Sequence, residues 1–256
     1  MEAAPSARAR AVRGKLRSLT GKVRHEWLRQ RPMVTYAANQ PESHYIWRRH
    51  VEFDELLPRW LAGNACNNGG DLSRYFALIL NVKQVLQEGV AGDLAELGVF
   101  RGNSAAILSH FAAAFERKLY LCDTFKGFDR RDLRGVDAQV PMEFDNVDLR
   151  DVRMTVGHNR CTEYVVGYFP DSITSELRER RFSVVHLDCD LYNPIRDGLE
   201  FFYPRLNPGG ILIVHDYSSG SWPGVTQAVD EFTHHIPERL TLLPDTSGSA
   251  LLRKNA

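Results

Sequence analysis

The sequence has no apolar run of the roughly 18 residues needed to cross a membrane, and its N-terminus lacks a signal-peptide apolar core. A soluble, cytoplasmic protein is the expectation, with contact at a membrane surface left open. No C-x-x-C pair is present: Cys66, Cys122, Cys161 and Cys189 are widely spaced, which argues against zinc or redox chemistry and for reduced, mostly buried thiols. Internal repeats and low-complexity blocks are also missing. Net charge is zero, and no recognition motif accompanies the one basic segment, so nucleic acid is excluded as a partner.

That basic segment is residues 1–31, where nine Lys or Arg stand against Glu2 and Glu26, leaving the remainder of the chain acidic. Val12, Leu16, Leu19, Val23 and Trp27 recur at three- and four-residue spacing, so the leader could form an amphipathic helix on an anionic membrane surface or against a partner. A leader with a solvated charged face fits the same residues, because Gly14, Thr20 and Gly21 weaken a helix. Residues 32–70, with Pro32, Pro41 and Pro58 and a polar run at 64–70, read as a cap on the main domain, residues 71–256. At 256 residues and 43% hydrophobic content the chain can bury one substantial core.

From Asp71 the pattern sharpens. Leu72, Tyr75, Phe76, Ile79, Val82 and Leu86 line a helical face that Asp71 or Ser73 could begin. Apolar strands and helical runs then alternate: a strand at 94–97, a helix from Ser104, strands at 118–122 and 161–166, a helix over 171–180, a strand at 182–187, a helix over 194–203, a strand at 210–214 and a helix over 224–235. Such alternation implies an α/β fold, a Rossmann-like sheet of parallel strands with helices on both faces. Residues 126–150 are polar, without a sustained period, and read as a long active-site loop, while 240–253 read as a terminal hairpin.

The most informative stretch is Glu96-Leu-Gly98-Val-Phe-Arg-Gly102-Asn-Ser104. A strand ends in an acidic residue, turns through two glycines and opens into a helix, which suits close backbone approach to a nucleoside. The two glycines are four apart and do not make the G-x-G-x-x-G pattern, which counts against a nicotinamide dinucleotide and a dehydrogenase. Glu96 repels phosphate and suits a cation such as a sulfonium with an amino group. The turn can also be purely structural. Asp123 ends the second strand, 25 residues after Gly98, where a carboxylate would accept hydrogen bonds from ribose hydroxyls; Thr124 and Phe125 follow it. The 182–187 strand runs into His186-Leu-Asp188-Cys-Asp190-Leu-Tyr192, and the next ends in His215-Asp216-Tyr217. Adjacent strand ends bring Asp188, His215 and Asp216 together, a donor set for a divalent ion, Mg2+ or Mn2+, that could activate a hydroxyl. Caps on the following helices are the alternative for both aspartates. His186 reads as a hydrogen-bonded core histidine, Asp190 as a group behind the site, and Asp188 as the general base.

These residues, with 121–128 and Gly167-Tyr-Phe-Pro170, resemble the macrocin O-methyltransferase family, which methylates sugar hydroxyls of macrolides and aminocoumarins. The resemblance spans roughly residues 70–253. It implies a class I S-adenosylmethionine-dependent methyltransferase fold with a seven-stranded sheet and a terminal antiparallel strand, an oligomer, and metal-dependent transfer to a hydroxyl. By position it puts Glu96, Gly98, Gly102, Ser104, Asp123, Thr124, Phe125 and Gly167 against the cofactor and Asp188, His215 and Asp216 at the metal. The family's better-known members resemble Asp-Asp-Tyr where this chain has His215-Asp216-Tyr217, so His215 could instead orient the acceptor or act as a base. The acceptor expected is a small molecule or glycan bearing a sugar, with a catechol-type phenol as the rival; Tyr45, Trp47, Tyr192 and Trp222 could stack on it.

Overall fold

The structure is a computed structural model that describes residues 52–64 and 71–255. The expectations for the basic leader, Tyr45, Trp47 and Cys66 lie outside the described residues. Helix α1 (Glu52–Asn64), within the region read as a cap, carries Pro58 inside it. An interior proline costs about 3 kcal/mol. Leu56 and Trp60, each 2% exposed, offset it by burying on one face at about 1.5–3 kcal/mol apiece, where α1 packs on the next two helices.

Helix α2 (Leu72–Gln87) starts at Asp71, whose Oδ1 accepts from the Arg74 amide at 3.1 Å. Its buried stripe is Tyr75, Leu78, Ile79, Val82, Val85 and Leu86, with Arg74 in the same register. Leu72 and Phe76, expected on that face, are only half-buried. The stripe is rotated by about one position, and an arginine is drawn inside.

Seven strands follow: β1 (Asp93–Leu97), β2 (Leu119–Asp123), β3 (Thr162–Val166), β4 (Phe182–Leu187), β5 (Leu206–Val214), β6 (Thr241–Leu242) and β7 (Ala250–Arg253). Their order is β3-β2-β1-β4-β5-β7-β6, with β1 to β5 parallel and β7 antiparallel to both β5 and β6. This is the sheet, terminal antiparallel strand included, that the family resemblance implies. The connecting helices are α3 (Asn103–Ala114), α4 (Leu149–Val156), α5 (Ser175–Glu179), α6 (Tyr192–Phe202) and α7 (Pro223–Thr233). Helix α4 has no counterpart in the sequence reading. It is eight residues long, capped by the Asp148 side chain, and buries only Val152 and Val156, too few for a period to show. No helix among the described residues is long and apolar enough to cross a membrane.

Side chains alternate across a strand, and that alternation sorts the chemistry. Ala95, Leu97, Val185, Leu187, Leu212 and Val214 join one core cluster with Ile195, Leu199, Val225 and Val229 of α6 and α7. Their neighbours Glu96, His186 and Ile213 take the other face, where α2 packs on β4 and β5 and α3 on β1 and β2. Cys122 is buried, Cys161 and Cys189 are half-buried, and all three are free thiols.

Candidate functional site

A cavity of about 560 Å³ opens where β1, β2, β4 and β5 end, walled by Gly98, Asp123, Thr124, Gly167, Asp188, His215 and Asp216 among others. At Gly98 the backbone is left-handed, with φ of 85°, and an added Cβ would run into the Asp188 carbonyl oxygen. Only glycine lets the turn after β1 lie this close to β4. Asp123 braces the same turn. Its Oδ2 accepts from the amides of Val99 at 2.6 Å and Phe100 at 2.9 Å, and its Oδ1 from the Phe125 amide at 2.7 Å. A carboxylate has about four acceptor positions; the Thr124 hydroxyl stands 3.4 Å from Oδ1 but gives its proton to the Gly127 carbonyl at 2.7 Å, which leaves the fourth free.

Other residues chosen from the sequence sit elsewhere. Gly102 begins α3 with φ of 85° and packs on Val152 and Val156 of α4. Ser104 lines a smaller neighbouring cavity with Asn103, Arg101, Arg74 and Asp188. Phe125 is buried behind the wall. Glu96 corrects the expectation that it meets the ligand: it is fully buried on the α2 face of the sheet, with Oε1 2.7 Å from Nδ1 of His186. The pairing of Glu96 beside His186 in the β1–β4 ladder puts both side chains under the sheet end and away from the cavity.

Asp188, His215 and Asp216 do converge, with one ligand atom of each within 4.8 Å of the others. Between them stands a residue that the sequence reading did not single out. Arg74 of α2, 5% exposed, donates from Nη2 to Asp188 Oδ2 at 2.5 Å, while its Nη1 lies 2.9 Å from His215 Nε2 and its Nη2 3.4 Å from His186 Nε2. A guanidinium can only donate, so His215 presents its Nε2 lone pair to Arg74 and carries its proton on Nδ1, 2.9 Å from Ser249 Oγ. Burial, and then Arg74, push the His215 imidazolium well below its usual range. Burial opposes the charge on Asp188, but Arg74 together with His215 and His186 outweighs it and holds that carboxyl well below the usual range. A divalent ion at the three expected ligands would need a His215 nitrogen, and both are already engaged, Nε2 by Arg74 and Nδ1 by Ser249, so the donor set as arranged does not fit a metal. The signal for Arg74 was its spacing: it is in step with Leu78, Val82 and Val85 on the buried stripe of α2.

Asp216, one residue past His215, keeps its Oδ2 3.7 Å from His215 Nε2 and hydrogen-bonds to Asp190 and Ser247. Both aspartates line the cavity and both have left-handed backbone, φ 63° for Asp190 and 61° for Asp216. Such conformations cost about 1–3 kcal/mol in a residue with a side chain and cluster at functional sites. Burial, with Asp188 next in weight, pushes the Asp216 carboxyl up to about 6 and Asp190 well above the ordinary range. Two carboxyls in one hydrogen bond cannot both stay ionised, so the pair holds a proton.

The 126–148 loop forms another wall, as its composition suggested, through Gly127, Phe128, Asp129, Asp132, Glu143 and Phe144. It is pinned at its middle, where buried Asp137 accepts from the Tyr192 amide at 2.7 Å, and again where Tyr168 Oη donates to Asp132 at 2.8 Å. Phe144 packs edge-on to Phe100 and Phe128, with ring centroids 5.0 and 5.1 Å away, and Trp222 lies 5.9 Å from Phe128. Of the aromatic residues singled out for stacking, Trp222 lines the cavity, while Tyr192 sends its hydroxyl outward to Glu231.

Known proteins share this fold. Among solved structures, the O-methyltransferase NovP superposes with a TM-score of 0.61 at 24% identity, covering 72% of this chain and 80% of its own. The calicheamicin methyltransferase CalS11 gives 0.59 at 20% identity, covering 84% and 93%. In sequence, the 8-demethyl-8-(2,3-dimethoxy-alpha-L-rhamnosyl)-tetracenomycin-C 4'-O-methyltransferase of Streptomyces olivaceus is 33% identical over 150 residues, 54% of this chain and 57% of that protein. The Mycinamicin III 3''-O-methyltransferase of Micromonospora griseorubida is 31% identical over 166 residues, 59% of this chain and 64% of that protein. The chain thus spans about three fifths of the length of the curated relatives it matches. The profile of the family described as Macrocin-O-methyltransferase matches residues 72–247, from the first turn of α2 to the loop that delivers Ser247. The chain belongs to the Macrocin-O-methyltransferase family.

Proposed function

We propose that the protein transfers a methyl group from S-adenosylmethionine to a hydroxyl of a sugar carried by a glycoside or glycan. The observation that carries this reading is one cavity with a nucleoside-type wall, Gly98 with Asp123, and a proton-accepting wall, Asp190 with Asp216. The volume and the free acceptor position of Asp123 suit S-adenosylmethionine, which when bound supplies a sulfonium-activated methyl group. The names of the relatives, which specify O-methylation on glycosylated compounds, support a sugar acceptor.

The residues then divide the work. Gly98 permits backbone approach, and Asp123 fixes the turn and meets the ribose. Phe128, Phe144 and Trp222 offer flat apolar surface to the acceptor's ring. With S-adenosylmethionine supplying the methyl group, the Asp190–Asp216 pair would take the proton that the acceptor hydroxyl gives up. The pair is better matched to this than Asp188, because a base whose proton affinity lies near working pH is the effective one, and Asp188 is held by Arg74. Alignment of the two reactants supplies much of the acceleration.

The test is calorimetric titration with S-adenosylmethionine, then assay of S-adenosylhomocysteine release with parallel panels of glycosides and catechols. Turnover confined to glycosides supports the proposal. Turnover with catechols alone moves the acceptor to the phenolic class, and absence of cofactor binding refutes methyl transfer.

A further inference from the structure

We infer that the Arg74 guanidinium is the resident cation of this site, standing where a divalent ion would be ligated, so that methyl transfer runs without a divalent metal. Three acceptor atoms converge on it: Asp188 Oδ2, His215 Nε2 and, more distantly, His186 Nε2. Two imidazole lone pairs and one carboxylate form a donor set that proteins use for divalent transition metals. Each imidazole is also held from behind by its other nitrogen, His186 on Glu96 at 2.7 Å and His215 on Ser249 at 2.9 Å. Metal-ligating histidines are normally oriented in this way. Here the same arrangement is turned on a side chain.

Arg74 is also fixed at its root. Asp71 caps α2 through the Arg74 amide with Oδ1 and accepts the Thr246 amide with Oδ2 at 2.8 Å, tying the start of α2 to the loop before β7. Withdrawal of the guanidinium would strip the partly buried Asp188 carboxylate of its cationic partner. His215 offers a lone pair to the guanidinium and, as a neutral imidazole, adds no negative charge of its own beside Asp188. The metal-free turnover rests on the methyl-transfer reading; the occupancy of the donor set by Arg74 does not.

The experiment has a binding arm and a turnover arm. Mn2+ is titrated into the full-length protein and into Arg74→Ala, with free Mn2+ followed by electron paramagnetic resonance. The wild type is expected to bind no stoichiometric Mn2+. Arg74→Ala, which frees the three acceptor atoms, is expected to bind it, and Arg74→Ala combined with His215→Ala to lose it again. A merely structural role for Arg74 would not create a metal site. In the turnover arm, dialysis against a chelator is expected to change the wild-type rate by less than about two-fold, with added Mg2+ giving no recovery to observe. Stoichiometric Mn2+ on the wild type, or a chelator-induced loss of about ten-fold or more that Mg2+ restores, overturns the inference. Should Arg74→Ala fail to fold, the wild-type arms still decide. Failure of the methyl-transfer reading would show separately, as no cofactor binding and no turnover with or without metal.

Discussion

Asp123→Asn separates a residue that only greets the ligand from one that also holds the turn. The side chain accepts three amide protons, from Val99 and Phe100 at Oδ2 and from Phe125 at Oδ1. Asparagine keeps one oxygen. Its better orientation retains Val99 and Phe100 and sets an NH2 group against the Phe125 amide, where two donors oppose. Hydrogen bonds to a charged group contribute about 1.5–3 kcal/mol each, and neutral ones about 0.5–1.5. One bond lost and two weakened come to about 3.5–6 kcal/mol. In a domain of this size each kcal/mol moves Tm by roughly 2–4 °C, so the ligand-free variant should melt about 7–24 °C lower. Calorimetry should also show S-adenosylmethionine affinity falling by about ten-fold or more, for loss of the ribose acceptor and disorder in the turn. Differential scanning calorimetry of the ligand-free protein is the deciding assay. An unchanged Tm would refute the bracing role, even if affinity fell.

Other outcomes follow from the same geometry. Gly98→Ala forces a side chain onto left-handed backbone and into the Asp188 carbonyl, and it should abolish cofactor binding and destabilise the fold by more than about 2 kcal/mol, read by denaturant unfolding. Asp216→Asn should lower kcat by about 10²–10⁴-fold and leave the cofactor Kd unchanged; an unchanged kcat would remove the pair from the reaction. Asp216, faced by Asp188, Asp190, Arg74 and Ser247, is pushed up to about 6. It is protonated and idle below that pH, so kcat/KM should rise as pH passes upward through it. A profile flat from pH 5 to 8 would contradict this. Trp222→Ala should raise the acceptor KM several-fold without altering cofactor affinity, and an unchanged KM would exclude stacking on this ring.

The strands and their polar ends were legible because each apolar run stops at a residue with a distinct chemical type: Gly98 after β1, Asp123 at β2, Asp188 after β4, His215 and Asp216 after β5. What escaped depended on direction in space. Glu96 lies beside the glycine turn in sequence, yet strand alternation turns it to the face where His186 waits. Asp190, read as a group behind the site, reaches the cavity because its left-handed backbone re-aims the chain after β4. Arg74 was hidden in a helical stripe that periodicity reads as apolar. Ser247 and Ser249 come from a hairpin loop far along the chain. Helices α1 and α4 were missed for opposite reasons, an interior proline outweighed by Leu56 and Trp60, and an element too short to show a period.

The most direct test of the central claim is to follow the methyl group itself. The protein is incubated with methyl-13C S-adenosylmethionine and a glycoside that supports turnover, and the product is examined by NMR. A single labelled methoxy carbon correlated to a sugar ring proton is the result this account requires. Label on nitrogen, on a phenolic oxygen or left entirely on the cofactor would contradict it.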